Sequence, residues 1–583
     1  MVTAKVAELR DMLSADRPSE WVSQMWTNYN EQRAETLNRW KETQAYITAT
    51  DTRKTANSHL PWTHHSPMPK LTQIRDNLHA NYLSSLFPND KWLMWDSFSP
   101  ESAKKDKAET VRFYMENKTR EGGFRNTVSQ LLYDYIDFGN AFAMPSFETR
   151  YKVVDNEKIP TFIGPKCVRI NPNDIVFNPL AADFAQTFKI VRSVHTIGEL
   201  AKMAQDEPDY LFFEDVVRRR MDILNNTSKF SHDDWAKASQ YKIDGFGNLE
   251  EYYQSNSVEI LDFYGDFYDK HTGELHRNKL ITIVDRSYTA REVDIPTYGG
   301  EAPIRNVGWR KRSDNQWAMG PLENLIGLQY LLDHYLNMGA NALDLKVIPP
   351  KKIIGEVEEF TWAPNEEIHV DENGDVQEMA QEFNSIYTVR DWMEYIEGKM
   401  ELYAGAPREA MGMRTPGEKT ALEVQSLENA AARIFQEKII QFELFLEQVL
   451  NDMLEIAHRH LDKSDIIRIL DPDTGAAVFK KINKADLTAD GIIRPVGARH
   501  FAQKAQELQN LIGIFNTPMG QLITPHTSTV ALSQFVKDVV DLRGYDMFKT
   551  NIAVQEQQQL QGLMGQAEED AAAMQAIEEE LPE

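Results

Sequence analysis

The stretch that most constrains the fold is TALEVQSLENAAARIFQEKIIQFELFLEQVLNDMLEIAHRHLDK, residues 420–463, which reads as one very long helix. Its Ala-rich first part permits close approach of another element. Leu444, Phe445, Val449, Leu450, Met453 and Ile456 dominate the second part. A second long pattern lies upstream. WAMGPLENLIGLQYLLDHYLNMGANALDLK, 317–346, reads as one helix with Pro321 in its first turn and an apolar face of Leu325, Leu328, Leu332, Tyr335 and Leu336. A start near Gly320 makes it roughly 40 Å long at about 1.5 Å per residue.

Between these patterns the chain changes character. VIPPKKIIGEVEEFTWAPNEEIHVDENGDVQEMA, 347–380, has three strand-like pieces and a turn at Glu372-Asn373-Gly374. A returning helix, FNSIYTVRDWMEYIEGKMELYAG, covers 383–405. The N-terminal 140 residues read as mostly helical. TQIRDNLHANYLSSLF, 72–87, spaces Ile74, Leu78, Tyr82 and Leu86 on one face. FRNTVSQLLYDYIDFGNAFAMP opens as a helix that ends near Gly139, a C-cap glycine, and a strand-like run follows that stops at Pro145. Residues 141–195 are strand-rich, with turn signatures on both sides of Ile175-Val176-Phe177. Residues 196–245 return to helices and polar connections, and 257–308 read as a meander with a hairpin turn at 269–273. IIRILD, AAVFKKI and IIRPVGAR form a small β region within 464–499. Residues 500–550 are helical again, and a Gln- and Glu-rich tail closes the chain. The fold class expected is α+β, predominantly helical.

Composition limits the chemistry. Hydrophobic content of 42% and aromatic content of 10% suffice for sizeable cores in 583 residues. The single cysteine, Cys167, excludes an intramolecular disulfide framework and reads as an inert thiol beside strand residues. The amphipathic start MVTAKVAELRDML is not a secretory leader, and the most apolar long stretch carries Glu323, Asp333 and His334, so no membrane span is expected. A formal net charge of −26 opposes tight gripping of nucleic acid but suits a surface past which nucleic acid slides.

GMRTPGEKT, 412–420, comes within one residue of a phosphate-binding loop. Gly412 and Gly417 have the spacing and Lys419-Thr420 follow, but Glu418 intervenes. A phosphate cradle is fed by a buried strand, whereas a helix feeds this loop. A nucleotide-driven translocase is therefore the weaker reading. Gly405 to Gly417, punctuated by Pro407 and Pro416, reads as a flexible loop carrying Arg408, Arg414 and Lys419. Glu418 suits the N-terminal end of the helix that follows. DENGD, 371–375, has glycine at the fourth position and reads as a hairpin turn, not a calcium loop. His458 and His460 are two apart and His64-His65 adjacent, neither a helical zinc pair, so no metal and no cofactor are expected. In YDYIDFG, 133–139, the residues Tyr133, Ile136 and Phe138, with Leu132 before them, carry the apolar content. Asp134 and Asp137 fall between them, a better reading than a catalytic carboxylate pair. No catalytic signature is present and the chain is not expected to be an enzyme.

The order helix, small β-rich insert, returning helix, basic Gly/Pro loop and very long helix resembles the phage portal family, the head-to-tail connectors, and most of all those of short-tailed phages. LPWTHHSPMPKLTQIRDNLHANYLSSLFP, DYIDFGNAF, the 317–405 hairpin arrangement, TPGEKTALEVQ and RPVGARHFAQKAQELQNL carry the likeness, from about Leu60 to Thr550. The resemblance implies a ring, usually of twelve subunits, at one capsid vertex of the virion, assembled in the host cytoplasm, through which double-stranded DNA enters and leaves. It implies a wing over 1–316, stem helices at 317–346 and 381–404, and a clip at 347–380. It also implies a tunnel loop at 405–419, the long wing helix and a small β region at 420–499, and a crown with its tail at 500–583. Arg408, Arg414 and Lys419 would touch DNA phosphates without reading bases, on hinges at Gly405, Pro407, Gly412, Pro416 and Gly417. Lys351, Lys352, Ile353, Ile354, Glu358 and Glu359 of the clip would dock the terminase large subunit and later the tail adaptor and nozzle proteins. Clip strands would pair with those of a neighbour. Major capsid or scaffolding protein would meet the wing, and internal core proteins the crown. A ring of twelve would carry roughly −310 formal charges, so DNA would be touched only at chosen rings of cations. The remaining alternative is an acidic structural adaptor with no DNA role. Deleting residues 408–416 is expected to leave ring assembly intact while DNA packaging or retention falls; loss of rings in a sizing assay would make the loop architectural instead.

Overall fold

A computed structural model describes residues 18–48, 63–87, 92–98, 105–154, 157–206, 217–218, 221, 257–269, 273–286, 288–348, 350–355, 374–378, 385–404, 421–461, 464–470, 477–483, 487 and 491–496. Among the described residues there are nine α-helices and five sheets, and every strand pair is antiparallel. The fold is thus mixed α and β. No helix among these residues is long and apolar enough to cross a membrane. The helices are α1 (Pro18–Gln32), α2 (Ala34–Ile47), α3 (Lys70–Leu86), α4 (Lys105–Glu121), α5 (Phe124–Asp137), α6 (Ile197–Asp206), α7 (Ile326–Val347), α8 (Ser385–Tyr403) and α9 (Ala421–His460). The strands divide among two compact units. One unit draws on 1–84 and 118–460 and the other on 85–117 and 461–583, a division that interleaves the linear segments read from sequence.

In the first unit the central sheet runs β4 (Ile175–Phe177), β5 (Lys189–Thr196), β6 (Ser257–Tyr268), β7 (Leu275–Val284) and β8 (Tyr288–Asp294). The meander expected over 257–308 is β6-β7-β8, and its first turn is closed by the Gly273 amide on the Asp269 carbonyl, with Gly273 at φ +69°. The continuous apolar runs arise because both faces are covered. Val176, Ile190, Phe263 and Ile281 pack with Val22 and Trp26 of α1, while Ile175, Phe177, Tyr264 and Leu280 join Trp40, Phe142 and Trp317 on the other side. Arg33, at the α1–α2 junction, donates to the carbonyls of Pro172, Asn173 and Ile175 and so ties these helices to the loop feeding β4.

A second sheet, β3 (Glu157–Ile170), β2 (Asn140–Val154) and β9 (Arg305–Gly308), stands beside it. The expected stop at Pro145 does not occur. β2 continues through it, with Pro145 opposite Cys167 on β3. The reason is positional: β9 pairs only as far as Ala143, so beyond that point β2 has no second neighbour among the described residues, and a proline costs least on such an edge. Cys167 is buried, and burial pushes its thiol up to about 12, which keeps it protonated and unreactive. Asp134 and Asp137 do not merely fall between apolar residues. Both are buried, each in a two-pronged bond, Asp134 with Arg169 on β3 and Asp137 with Arg75 on α3. Burial pushes the Asp134 carboxyl up to about 6 even with that guanidinium upon it.

In the second unit, β12 (Ser464–Leu470) pairs with β13 (Ala477–Asn483) as a hairpin. The third piece, β14 (Gly491–Pro495), does not extend that hairpin. It pairs with β1 (Leu93–Ser97), a strand the sequence pattern had placed among helices, and Arg494 reaches Asp96 across the pair at 3.1 Å.

The corner that aims α7 lies at the end of α5. Gly139 has φ +70°, and a Cβ there would stand 2.3 Å from the Gly320 nitrogen. The next residue, Asn140, donates through Nδ2 to the Ala318 carbonyl and accepts the Ala318 amide on Oδ1. Residues 317–320 are thus held against β2, and Glu323 accepts the Gly320 amide. These contacts explain a correction: the helix expected over 317–346 begins at Ile326, after a short 3-10 turn at Glu323–Leu325. Likewise Leu444, expected on the apolar face of α9, is exposed, and Leu446 takes its place beside Phe445, Val449 and Leu450. Gly139→Ala is expected to destabilise the protein by at least about 2 kcal/mol in urea unfolding, combining left-handed strain with a backbone clash. Gly327→Ala, which meets nothing within 4 Å, should be neutral or stabilising.

Candidate functional site: a helix pair with a polar seam and an apolar outer face

α7 and α8 are the helices for which a stem role was expected, and α7 buries the side of itself that hydropathy does not favour. Its buried residues are Gln329, Leu332, Asp333 and Asn337. Three of the four are polar, and they recur every fourth residue, with Asn341 next in the series. The partner is the segment before α3, Thr63-His64-His65-Ser66-Pro67-Met68-Pro69. The His64 amide donates to Asn341 Oδ1, the Ser66 amide to Asn337 Oδ1 and the Met68 amide to Asp333 Oδ1, each at 2.8 Å. The Leu71 amide reaches Gln329 Oε1 at 3.3 Å, and Gln329 Nε2 donates back to the Met68 carbonyl at 2.6 Å.

The register has a simple geometric origin. Four helical residues advance about 6 Å, and two extended residues advance about 6.6 Å. Alternate amides of an extended strap therefore meet successive rungs of the helix. Pro67 and Pro69 occupy alternating positions next to donors that are used, and they have no N–H to leave unpaired. Proline also biases Ser66 and Met68, the residues before it, towards extended backbone. Burial pushes the Asp333 carboxyl above the usual range, opposed by the Met68 amide and by Gln329. At the outer end His64 Nε2 meets Asp344 Oδ2 at 2.6 Å.

At the other end the strap leads into Lys70, whose buried ammonium contacts Glu401 at 2.7 Å and Glu397 at 3.3 Å, both on α8. Ile396 and Met400 of α8, and Ala404 just past its end, are buried. The two helices approach where Gly339 faces Val389.

With the polar side of α7 used inward, the two helices leave several apolar side chains exposed. Met338 is 48% exposed, Val347 76%, Trp392 53% and Tyr403 56%, and Tyr330, Leu331, Leu343, Tyr395 and Leu402 are exposed with them. At the tip, β10 (Lys351–Ile354) pairs with β11 (Asp375–Glu378) in a two-stranded sheet. Ile353 and Ile354 are exposed there, next to Lys352 and the half-buried Lys351. Two strands alone bury little, and single hairpins are marginal in water.

Of the residues singled out from sequence, Lys351, Lys352, Ile353 and Ile354 are thus together on β10. Glu358, Glu359 and the whole loop with Arg408, Arg414, Lys419, Gly405, Pro407, Gly412, Pro416 and Gly417 lie outside the described residues, as does 500–583. The histidines weighed as ligands have protein partners: His458 Nδ1 meets the Tyr298 hydroxyl at 2.8 Å, and His460 stacks on Phe147. No group of three or more metal-binding side chains is found among the described residues. A cavity of about 100 Å³ lies between Thr297, Glu301, Arg305, Asp452 and Glu455. Its charged groups are largely spoken for, since Arg305 grips Asp452 with both prongs and Glu455 accepts the Tyr298 amide. No protein-family model matches the sequence, and no curated protein matches it significantly.

Sequence reasoning missed the polar seam, although its signal was present: a Gln-Asp-Asn-Asn series at four-residue spacing inside an apolar helix, and prolines at alternating positions upstream. Lys70→Met is expected to cost about 3–5 kcal/mol in urea unfolding because it strands Glu401 in a buried site. Adding Glu401→Gln should recover most of that loss.

Proposed function

We propose that this chain is the repeating subunit of a ring that conducts double-stranded DNA, a portal at a capsid vertex. The observation that carries the reading is the α7–α8 pair: α7 turns Gln329, Asp333 and Asn337 inward, and both helices leave large apolar side chains exposed. A monomer gains nothing from leaving Trp392, Tyr395, Tyr403, Leu331 and Met338 exposed on two neighbouring helices. A neighbouring copy offering a different surface would cover them, and repetition of that head-to-tail contact closes a ring. The two-stranded tip, β10–β11, gains a further strand from the same neighbour in this arrangement.

Charge supports a conduit over a clamp. At −26 per chain, a ring wall repels phosphates, and the cations of the 405–419 segment, Arg408, Arg414 and Lys419, supply the weak repeated contacts that allow sliding. In this reading the nucleotide-burning step belongs to a separate motor, the terminase, docking at the clip end, where Lys351 and Lys352 stand. The same end later takes the tail adaptor and nozzle.

The test is a pair of charge insertions on the exposed face, Met338→Glu with Trp392→Glu. Both side chains are about half exposed, so the folded subunit should keep its helical circular dichroism and unfolding midpoint. Association should weaken at least about a hundredfold, as expected when two large apolar anchors of roughly 1.5 kcal/mol or more each are lost. Unchanged particle mass in analytical ultracentrifugation would refute the interface.

A further inference from the structure

We propose that residues 63–69 are a latch that holds the outer half of α7 and can open without unfolding the core. Beyond Leu332, the buried side chains of α7 are Asp333 and Asn337, and both are committed to the strap. Asn341 and Asp344, further out, also spend their oxygens on it, at the His64 amide and ring. The strap therefore holds, together with α8, the half of α7 that carries Met338, Leu343 and Val347 and leads to β10.

The latch is built to be separable. Thr63 to Pro69 are half-buried or exposed, and their attachment runs through hydrogen bonds in place of an apolar plug. Segments with few buried apolar contacts open at lower free energy than the core they rest on. The inner end is different in kind. Leu71, Ile74 and Leu78 of α3 are fully buried, and Lys70 is pinned by Glu401. Opening stops there, so Lys70 serves as a post that keeps α3 and α8 joined when the strap is off. The consequence is two states for the outer half of α7, one held by the strap and α8 together and one held by α8 alone. That consequence matters for assembly only if the ring reading holds; the latch itself does not require it.

Hydrogen exchange on the full-length chain, followed by mass spectrometry, reads the strap directly. The peptide covering 63–71 should exchange at least about tenfold more slowly than an unstructured chain, and at least about tenfold faster than the core peptide covering 131–143. Asn337→Ala with Asn341→Ala removes two rungs and should strip at least tenfold of the strap's protection, leaving 131–143 unchanged. His65→Ala, at an exposed side chain off the ladder, should change neither. Three results would overturn the proposal: a strap that exchanges together with the core, a wild-type strap with no protection, or rung variants without effect. Because exchange is measured on the subunit at concentrations below assembly, a failed ring would not mask a working latch.

Discussion

The polar seam between α7 and residues 63–71 is the constraint on which the functional surface depends. A helix of mixed composition normally turns its apolar side to the core. Here Gln329, Asp333, Asn337 and Asn341 are required inward, because their oxygens are the partners of the strap's amides. An unmade bond at any buried rung would cost about 1–3 kcal/mol, so the rotation of α7 about its axis is set by these four side chains. Once that rotation is fixed, Tyr330, Leu331 and Met338 must point outward. The exposure of these apolar side chains is a consequence of the seam.

Two anchors transmit this setting to the rest of the first unit. At the base, Gly139 admits the backbone of residues 319–320, and Asn140 ties Ala318 on both sides. Beside it, Lys70 fastens α8 to α3 through Glu401 and Glu397. The first anchor lies two to three residues beyond Asp137 on α5, and the second lies on α3, where Arg75 grips Asp137 with both prongs.

Much of this was legible in the residues. The spacing of Ile74, Leu78, Tyr82 and Leu86 gave α3, and all four are buried. Gly139 was readable as a helix stop because its φ is positive, and β6–β7 because its turn carries Gly273. What escaped notice were effects of tertiary partnering. β1 is a short strand whose pairing partner among the described residues, β14, lies about 400 residues away, beyond any local pattern. Pro145 continues a strand because the neighbour on one side ends first. Asp134 and Asp137 are inside because Arg169 and Arg75 arrive from other elements. The seam was missed for the related reason that hydropathy ranks Gln, Asp and Asn as outward-facing, and only a donor-rich strap reverses the preference.

Whether the chain assembles into a closed ring is decided by the mass and symmetry of the particle. Purified chain viewed end-on by electron microscopy, with mass measured in parallel, should give closed rings with a central hole near 800 kDa, about twelve times the 67.0 kDa chain. Closure with a neighbouring subunit number would still agree. A monomer or dimer under every assembly condition would contradict it.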